Sequence, residues 1–493
     1  MKASRRKFIA ATSSIAGLAH TANSQTADEN LNEGTTDWQL TRVKVNEGKY
    51  RTSLIEGYVS HQSILPGETL SIYVSTKPER KFHIDFYRMG YYSGTGGRLM
   101  GQLGPLDGKT QPTPDIGEKR IRECRWDAAA EFTIPKDWPG GVYLGKLTTI
   151  PESESEPYWQ SYIIFVVRSA TPSEIVFQVS DNTWQAYNRW PVNESLYTNP
   201  DGAQAPGVAV SFERPYGKYV QITDNPLSIG SGEFLLWEFP LCYWLEKEGY
   251  DVSYVSNSDL LDEKAIAGSK VFLSVAHDEY WDIKQFRTIE TAIENGLNVL
   301  WLGGNSVFID SPFSPSSAGR ANRIIERRGC YGELRQDESE SYSHILGALQ
   351  STAPDERNIM GVRSVVPFNG GGDWTCRNPE HWIFSGTGMK DGESIPGLVG
   401  WEHHGEPDMT LPGLEVLADG KVWAGGTREG RYTSVIFDGP KENLIFNAST
   451  IFWAQGLSSP PGHWVPYSHF SRPHGPDPRV QQITKNVLDR ILR

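Results

Sequence analysis

A chain of 493 residues with 38% hydrophobic and 11% aromatic residues is too long for one core and holds ample material for two or three domains. Its formal charge of -13 at neutral pH argues against non-specific binding to nucleic acid or to an anionic membrane. The four cysteines, Cys124, Cys242, Cys330 and Cys376, stand far apart with no C-x-x-C pair, which excludes a zinc ribbon or thioredoxin-like centre and leaves any disulfide unassigned.

At the N-terminus, Ser4-Arg5-Arg6-Lys7-Phe8 precedes a modest apolar segment, Ile9 to Ala19, and the small residues Ala22-Asn23-Ser24. Paired arginines before a weak apolar stretch resemble a twin-arginine export signal over residues 1–24, which places the mature protein in the periplasm or outside the cell. A general secretory signal or a basic tail is the alternative. The segment is too short and too rich in Ser, Thr and Gly to span a bilayer, and no later run reaches membrane length. Its removal takes away Lys2, Arg5, Arg6 and Lys7 and no acid, so four positive charges are lost and -13 becomes -17. Twin-arginine export carries folded proteins, which suits an enzyme that acquires a cofactor first. The polar stretch from Gln25 to Asp37 reads as a linker.

From Trp38 to Arg168 come short runs rich in Val, Ile, Tyr and Phe: Leu54–Val59, Leu70–Val74, Phe82–Tyr87, Glu131–Ile134, Val142–Leu147 and Tyr162–Val167. Turn signals such as Leu65-Pro66-Gly67-Glu68 and Trp138-Pro139-Gly140-Gly141 separate them, and the spacing predicts a β-sandwich that folds as its own unit. Gly104 to Arg120 reads as a surface loop.

After Thr171-Pro172 strands and helices alternate. Ile175–Val179 is a strand; Phe234, Trp237, Leu241, Trp244 and Leu245 recur at helical spacing up to Gly249; Val252–Val255 and Val271–Val275 are strands. A helix from Asp282 turns Ile283, Phe286, Ile289 and Ile293 to one face and stops at Gly296, before the strand Val299–Leu302. Residues 308–396 read as an irregular insertion, Thr433–Phe437 and Leu444–Phe446 return to strand, and a helix from Val480 to Leu492 closes the unit. This alternation predicts a doubly wound parallel sheet over 171–493, and so an α/β plus all-β fold class overall.

Ligands of open α/β sheets bind beyond the carboxyl ends of the strands. Lys270 to Trp281, KVFLSVAHDEYW, is a buried strand that breaks off into His277, Asp278 and Glu279. The structural alternative is that Asp278 or Asp282 caps the next helix and His277 packs. The strand Ile175–Val179 delivers Ser180-Asp181-Asn182-Thr183-Trp184-Gln185-Ala186-Tyr187-Asn188 and then Glu194-Ser195-Leu196-Tyr197, while Val299–Leu302 delivers Gly303-Gly304-Asn305. All leave the same sheet edge, although aromatic residues often only pack and Asn305 after two glycines also fits a plain turn.

D-N-T-W-Q-A-Y-N, S-L-Y, R-P-Y, A-H-D-E-Y-W, L-G-G-N, H-W-I-F-S-G-T-G and G-L-V-G-W-E, in this order, resemble the large-subunit family of N,N-dimethylformamidase from roughly Thr171 to the C-terminus. The resemblance implies a glutamine-amidotransferase-like α/β domain holding one mononuclear Fe(III) on two tyrosinates and a glutamate. By motif the ligands fall on Tyr187, Tyr197 and Glu279, and His277, Asn305 and Glu402 are catalytic or support the ligands. The family pattern carries Gly-Gly before S-L-Y where this chain has Trp190-Pro191-Val192-Asn193-Glu194, so the loop differs locally. The implied activity is hydrolysis of an amide C–N bond in a small substrate, with a homo-oligomer or a small partner subunit left open.

The chemistry is coherent on its own terms. A free tyrosine ionises near pH 10, so a phenolate at neutral pH needs a strongly acidic cation beside it. Two phenolates and a carboxylate neutralise Fe(III) and leave positions for water and a carbonyl. Two other readings compete. One is a zinc or divalent-metal hydrolase built on His277, Asp278 and Glu279; the other is a non-catalytic envelope protein whose Trp184, Trp190 and Trp281 stack on a carbohydrate or peptide.

Overall fold

The computed structural model describes residues 25–47, 50–197, 209–218, 229–333, 350–364, 370–424, 428–464 and 474–493. The export signal expected over residues 1–24 lies outside the described residues. No helix among the described residues is long and apolar enough to cross a membrane.

The stretch expected as a linker is tied down instead. Its helix α1 (Gln25–Glu29) leads into Asn30, whose amide donates to Glu246 2.8 Å away, while Glu29 accepts from Arg98 at 2.7 and 2.8 Å and from the Tyr92 hydroxyl at 2.8 Å. Thr26, Glu29 and Asn30 are buried, while Asp28 and most of residues 31–37 face solvent.

Eight strands follow: β1 (Glu56–Val59), β2 (Ser63–Ile64), β3 (Thr69–Ser75), β4 (Phe82–Met89), β5 (Gly97–Leu106), β6 (Ala130–Thr133), β7 (Gly141–Thr149) and β8 (Gln160–Val167). They form a three-stranded sheet, β1-β3-β6, and a five-stranded sheet, β2-β8-β7-β4-β5. Alternate side chains, including Ile72, Val74, Phe86, Tyr143 and Phe165, point into the core between the two sheets. β5 escapes the sequence pattern because its glycines and Pro105 read as a loop; as an edge strand paired only with β4 it tolerates both. The five-stranded sheet buries its second face as well. Tyr87, Met89, Val142, Leu144 and Ile164 belong to one continuous core with the α/β part, a contact that the strand spacing does not reveal.

The α/β part comprises β9 (Ile175–Gln178), α2 (Asp181–Tyr187), α3 (Phe234–Trp237), α4 (Phe239–Lys247), β10 (Val252–Val255), β11 (Val271–Ala276), α5 (Ile283–Glu294), β12 (Asn298–Gly303), β13 (Glu415–Ala424), β14 (Arg428–Asp438), β15 (Leu444–Asn447) and α6 (Pro478–Leu492). The expected single helix over 234–245 is two, because Pro240 cannot donate a backbone hydrogen bond and sits in the first turn of α4. Asp282 caps α5, its carboxylate accepting from the Lys284 amide at 2.7 Å, and Phe286, Ile289 and Ile293 are buried as the spacing predicts.

The sheet order is β10-β9-β11-β12-β15-β14-β13, parallel from β10 through β15 and antiparallel beyond. Phe177, Leu273 and Leu300 face the core that includes α4 and α6, while Val176, Phe272 and Trp301 face the core that includes α5. After β9 the chain goes to β10 on one side, then returns past β9 to β11 and continues to β12 on the other. Loops leaving β9 and β11 therefore diverge, and a crevice opens between two adjacent strand ends.

Candidate active site

That crevice gathers the residues named from sequence. The Tyr187 hydroxyl donates to Glu279 Oε2 at 2.8 Å and stands 3.4 Å from the Tyr197 hydroxyl, which lies 3.4 Å from Glu279 Oε1. The two phenol rings stack with centroids 5.0 Å apart, and Arg327 lies over the Tyr197 ring. Tyr280, which sequence reasoning passed over, donates its hydroxyl to that of Tyr197. His277 Nε2 is 3.2 Å from Glu279 Oε2 and 3.6 Å from Glu402 Oε1. Asn305 and the Trp401 indole lie against the Glu402 carboxyl group. All six residues singled out from sequence, Tyr187, Tyr197, Glu279, His277, Asn305 and Glu402, thus converge.

Each is delivered by a specific piece of backbone. β11 ends at Ala276, whose φ of 58° turns the chain sharply out of the sheet, and Asn305 and Val307 after β12 have φ of 53° and 54°. Asn tolerates this left-handed conformation, whereas Ala and especially Val hold it only where packing imposes it. Gly304 is required because a Cβ there would collide with the Glu402 carbonyl oxygen, and this close approach sets Glu402 beside Asn305. Glu279 is fixed through its amide, which donates to Thr183 Oγ1 of α2 at 3.0 Å. His404 steadies the Asn305 loop by accepting from the Ser306 amide at 2.9 Å; burial lowers its pKa to about 3, so it acts as a neutral acceptor.

The loop between the two tyrosines is held by Arg214 of R-P-Y. Its guanidinium, fully buried, donates to the carbonyls of Gln185, Asn188, Trp190 and Glu194 and to Gln185 Oε1 at 2.6–3.2 Å. Burial lowers its pKa to about 10, so it stays charged at neutral pH. These five acceptors tie the loop to one side chain.

Asp278 is a correction. It turns away from its neighbours and accepts from Gln178 at 2.6 Å, Ser274 at 2.8 Å and Asn257 at 3.1 Å, with burial raising its pKa to about 6. It braces the strand end and neither caps a helix nor joins His277 and Glu279. The three tryptophans offered as a stacking platform are corrected too. Trp184, Trp190 and Trp281 are buried, and the first two donate their indole N–H to Glu238 and Glu56. All four cysteines are buried and none forms a disulfide.

Electrostatics make the cluster costly as it stands. Burial and the Glu279 charge push Tyr187 and Tyr197 well above the usual phenol range. Burial, then the same charge, raises Glu402 and Glu233 far above the usual carboxylate range. Neither oxygen of Glu233 or Glu402, neither ring nitrogen of His277 and neither amide atom of Asn305 has a hydrogen bond of good geometry. Such orphaned groups are rare in native interiors and mark a place where a ligand supplies partners. Among the described residues no group of three His, Cys, Asp or Glu side chains is arranged to hold a metal ion. The donor set that fits a cation is the mixed one: oxygens sharing a small cation at ~2 Å stand roughly 3 Å apart, as these do. Two phenols and a carboxylate could thus supply three anionic oxygens to a hard, highly charged ion.

The family described as N,N-dimethylformamidase beta subunit-like, C-terminal, matches residues 83–467, a span that takes in five strands of the all-β unit and every site residue above. No protein of curated function matches the chain. Most of the chain lies within that match, and the protein belongs to the N,N-dimethylformamidase beta subunit-like family.

Proposed function

We propose that this protein is an amidohydrolase that holds one ferric ion on Tyr187, Tyr197 and Glu279 and cleaves the C–N bond of a small amide. The observation that carries the reading is the convergence of two phenol oxygens on one carboxylate at 2.8–3.4 Å, with His277 and Glu402 alongside. Held by Tyr187, Tyr197 and Glu279, a ferric ion would supply Lewis acidity toward an amide carbonyl and toward water. Family membership supports a hydrolase of amides, and the subunit in the family's name supports a partner chain.

Hydrolysis forms a C–O bond, breaks the C–N bond and delivers a proton to the leaving nitrogen. Glu402 is suited by its position to give that proton, and His277 Nε2 at 3.6 Å is placed to exchange protons with it. The Asn305 amide is suited to donate to the oxygen that gains charge. We read the paired sheets as a β-sandwich, the parallel sheet as amidotransferase-like, and the N-terminal arginines as routing the folded protein to the periplasm or beyond.

The test is amine release from a panel of small amides, N,N-dimethylformamide first. His277→Ala and Asn305→Ala should keep iron and lose 10²-fold or more in kcat, on the order of what positioned acid–base and oxyanion groups supply. Glu279→Ala should lose the iron itself. Turnover that survives all three changes would sink the assignment. The divalent-metal reading on His277, Asp278 and Glu279 is not favoured, since Asp278 faces the opposite way.

A further inference from the structure

Glu233, which precedes α3, is 2% exposed, and neither of its carboxylate oxygens has a hydrogen bond. Leaving such a group buried and unpartnered is costly, so its position calls for a counterpart. α3 is only four residues long, too short for its amino end to serve, and the Trp237 indole beside the carboxyl group makes no well-formed hydrogen bond to it. The group Glu233 does face is His277: Oε2 is 3.9 Å from Nδ1, a gap that one bridging water or a small rotation closes. The opposite ring edge, Nε2, is the one turned to Glu279 and Glu402.

We propose that Glu233 is the positioning residue for His277. It takes the Nδ1 edge of the imidazole and thereby keeps Nε2 aimed at Glu279 and Glu402, where the amide is handled. The proposal rests on the amidohydrolase reading for its kinetic consequence but not for its geometric one. An imidazole offers two similar edges, and a flipped ring would put Cε1 where Nε2 stands and turn Cδ2 toward Glu233. An accepting carboxyl oxygen on one edge removes that ambiguity whether or not the group is ionised, a positioning role like that of the buried aspartate toward histidine in serine hydrolases. Glu233 lies in S-G-E-F-L, outside every motif, and reaches His277 only through the fold.

The experiment pairs Glu233→Leu, which removes the acceptor at similar volume, with Glu233→Gln, which keeps one. In the iron-loaded full chain, with N,N-dimethylformamide as probe amide, Glu233→Leu should lower kcat on the order of 100-fold with little change in KM and no change in iron content. Glu233→Gln should restore most of the rate, and in a His277→Ala background Glu233→Leu should add nothing. Crystal structures of wild type and variant supply a readout that needs no turnover: His277 should hold one ring orientation in the wild type and a rotated or split one in Glu233→Leu. If the Leu variant does not fold, Glu233→Ala is read the same way. An unmoved His277 ring, or a loss that is additive with His277→Ala, overturns the positioning role. A wild type that cleaves none of the amides overturns the amidohydrolase reading instead and leaves the ring orientation to decide this one.

Discussion

At the scale of single residues, burial raises the proton affinity of several acids of the α/β part. Asp181, at the start of α2, accepts from the Asn257 amide at 2.8 Å through one oxygen, while the other has no hydrogen bond. Burial raises its pKa to about 8 from an ordinary value near 4, and Glu356 is likewise pushed to about 8. A raised acid binds its proton more tightly in the folded chain than in the unfolded one. Its cost is therefore absent below about pH 4, grows as pH rises from there, and is complete above about pH 8. Asp181→Asn removes this cost. Each tenfold difference in proton affinity between the folded and unfolded chains is worth ~1.4 kcal/mol, so the variant should gain a few kcal/mol on wild type between about pH 5 and about pH 8.5 in urea unfolding curves. A difference between the two proteins that does not change with pH would show that Asp181 is already ionised in the fold.

At the scale of elements, strand ends and loops place the chemistry, and one buried cation shapes the most exacting loop. Arg214 ties together the carbonyls from Gln185 to Glu194, the segment that brings Tyr197 back toward Tyr187. Arg214→Met keeps much of the volume and orphans those carbonyls. We expect a loss of about 3 kcal/mol or more in denaturant unfolding, with metal occupancy falling as the tyrosines separate. Normal stability and full occupancy in that variant would mean the loop holds itself. Elements also explain what was legible in the sequence. The runs around Phe86, Phe165, Leu273 and Leu300 were readable as strands because both periodicity and turn signals marked them. β5 and β13 were not, since edge strands rich in Gly or charge carry no such pattern. Tyr187, Tyr197, Glu279, His277 and Asn305 were legible from their places after predicted strands and from their motifs, and Glu402 from its motif alone; Tyr280, Arg214 and Glu233 needed the fold, because partners far away in sequence give them their meaning.

At the scale of the whole molecule, the two units share a core. The face of the five-stranded sheet that carries Met89, Leu144 and Ile164 packs with Phe234, Trp237 and Leu241 of the α/β part. Buried polar contacts reinforce the seam, with Arg88 bound to Glu246 at 2.8 Å and Arg323 of the α/β part donating to the Val59 carbonyl at 2.7 Å. Expressed alone, residues 38–168 should expose that apolar face and aggregate or bind a hydrophobic dye, unlike the full chain. A monomeric, cooperatively unfolding fragment would show that the shared core is dispensable. No candidate metal ligand lies in the all-β unit, so its contribution to the site is to support α2 through α4 from behind.

The proposed ferric centre on two tyrosines is tested most directly by metal content taken together with the visible spectrum of the purified protein. Phenolates bound to Fe(III) transfer charge to the metal in the visible. We therefore predict one iron per chain, a coloured protein, and a band that shifts or bleaches in Tyr187→Phe and in Tyr197→Phe while the fold persists, since each change nearly preserves volume. A colourless, iron-free protein that hydrolyses amides at full rate, and does so equally after Tyr197→Phe, would contradict the account.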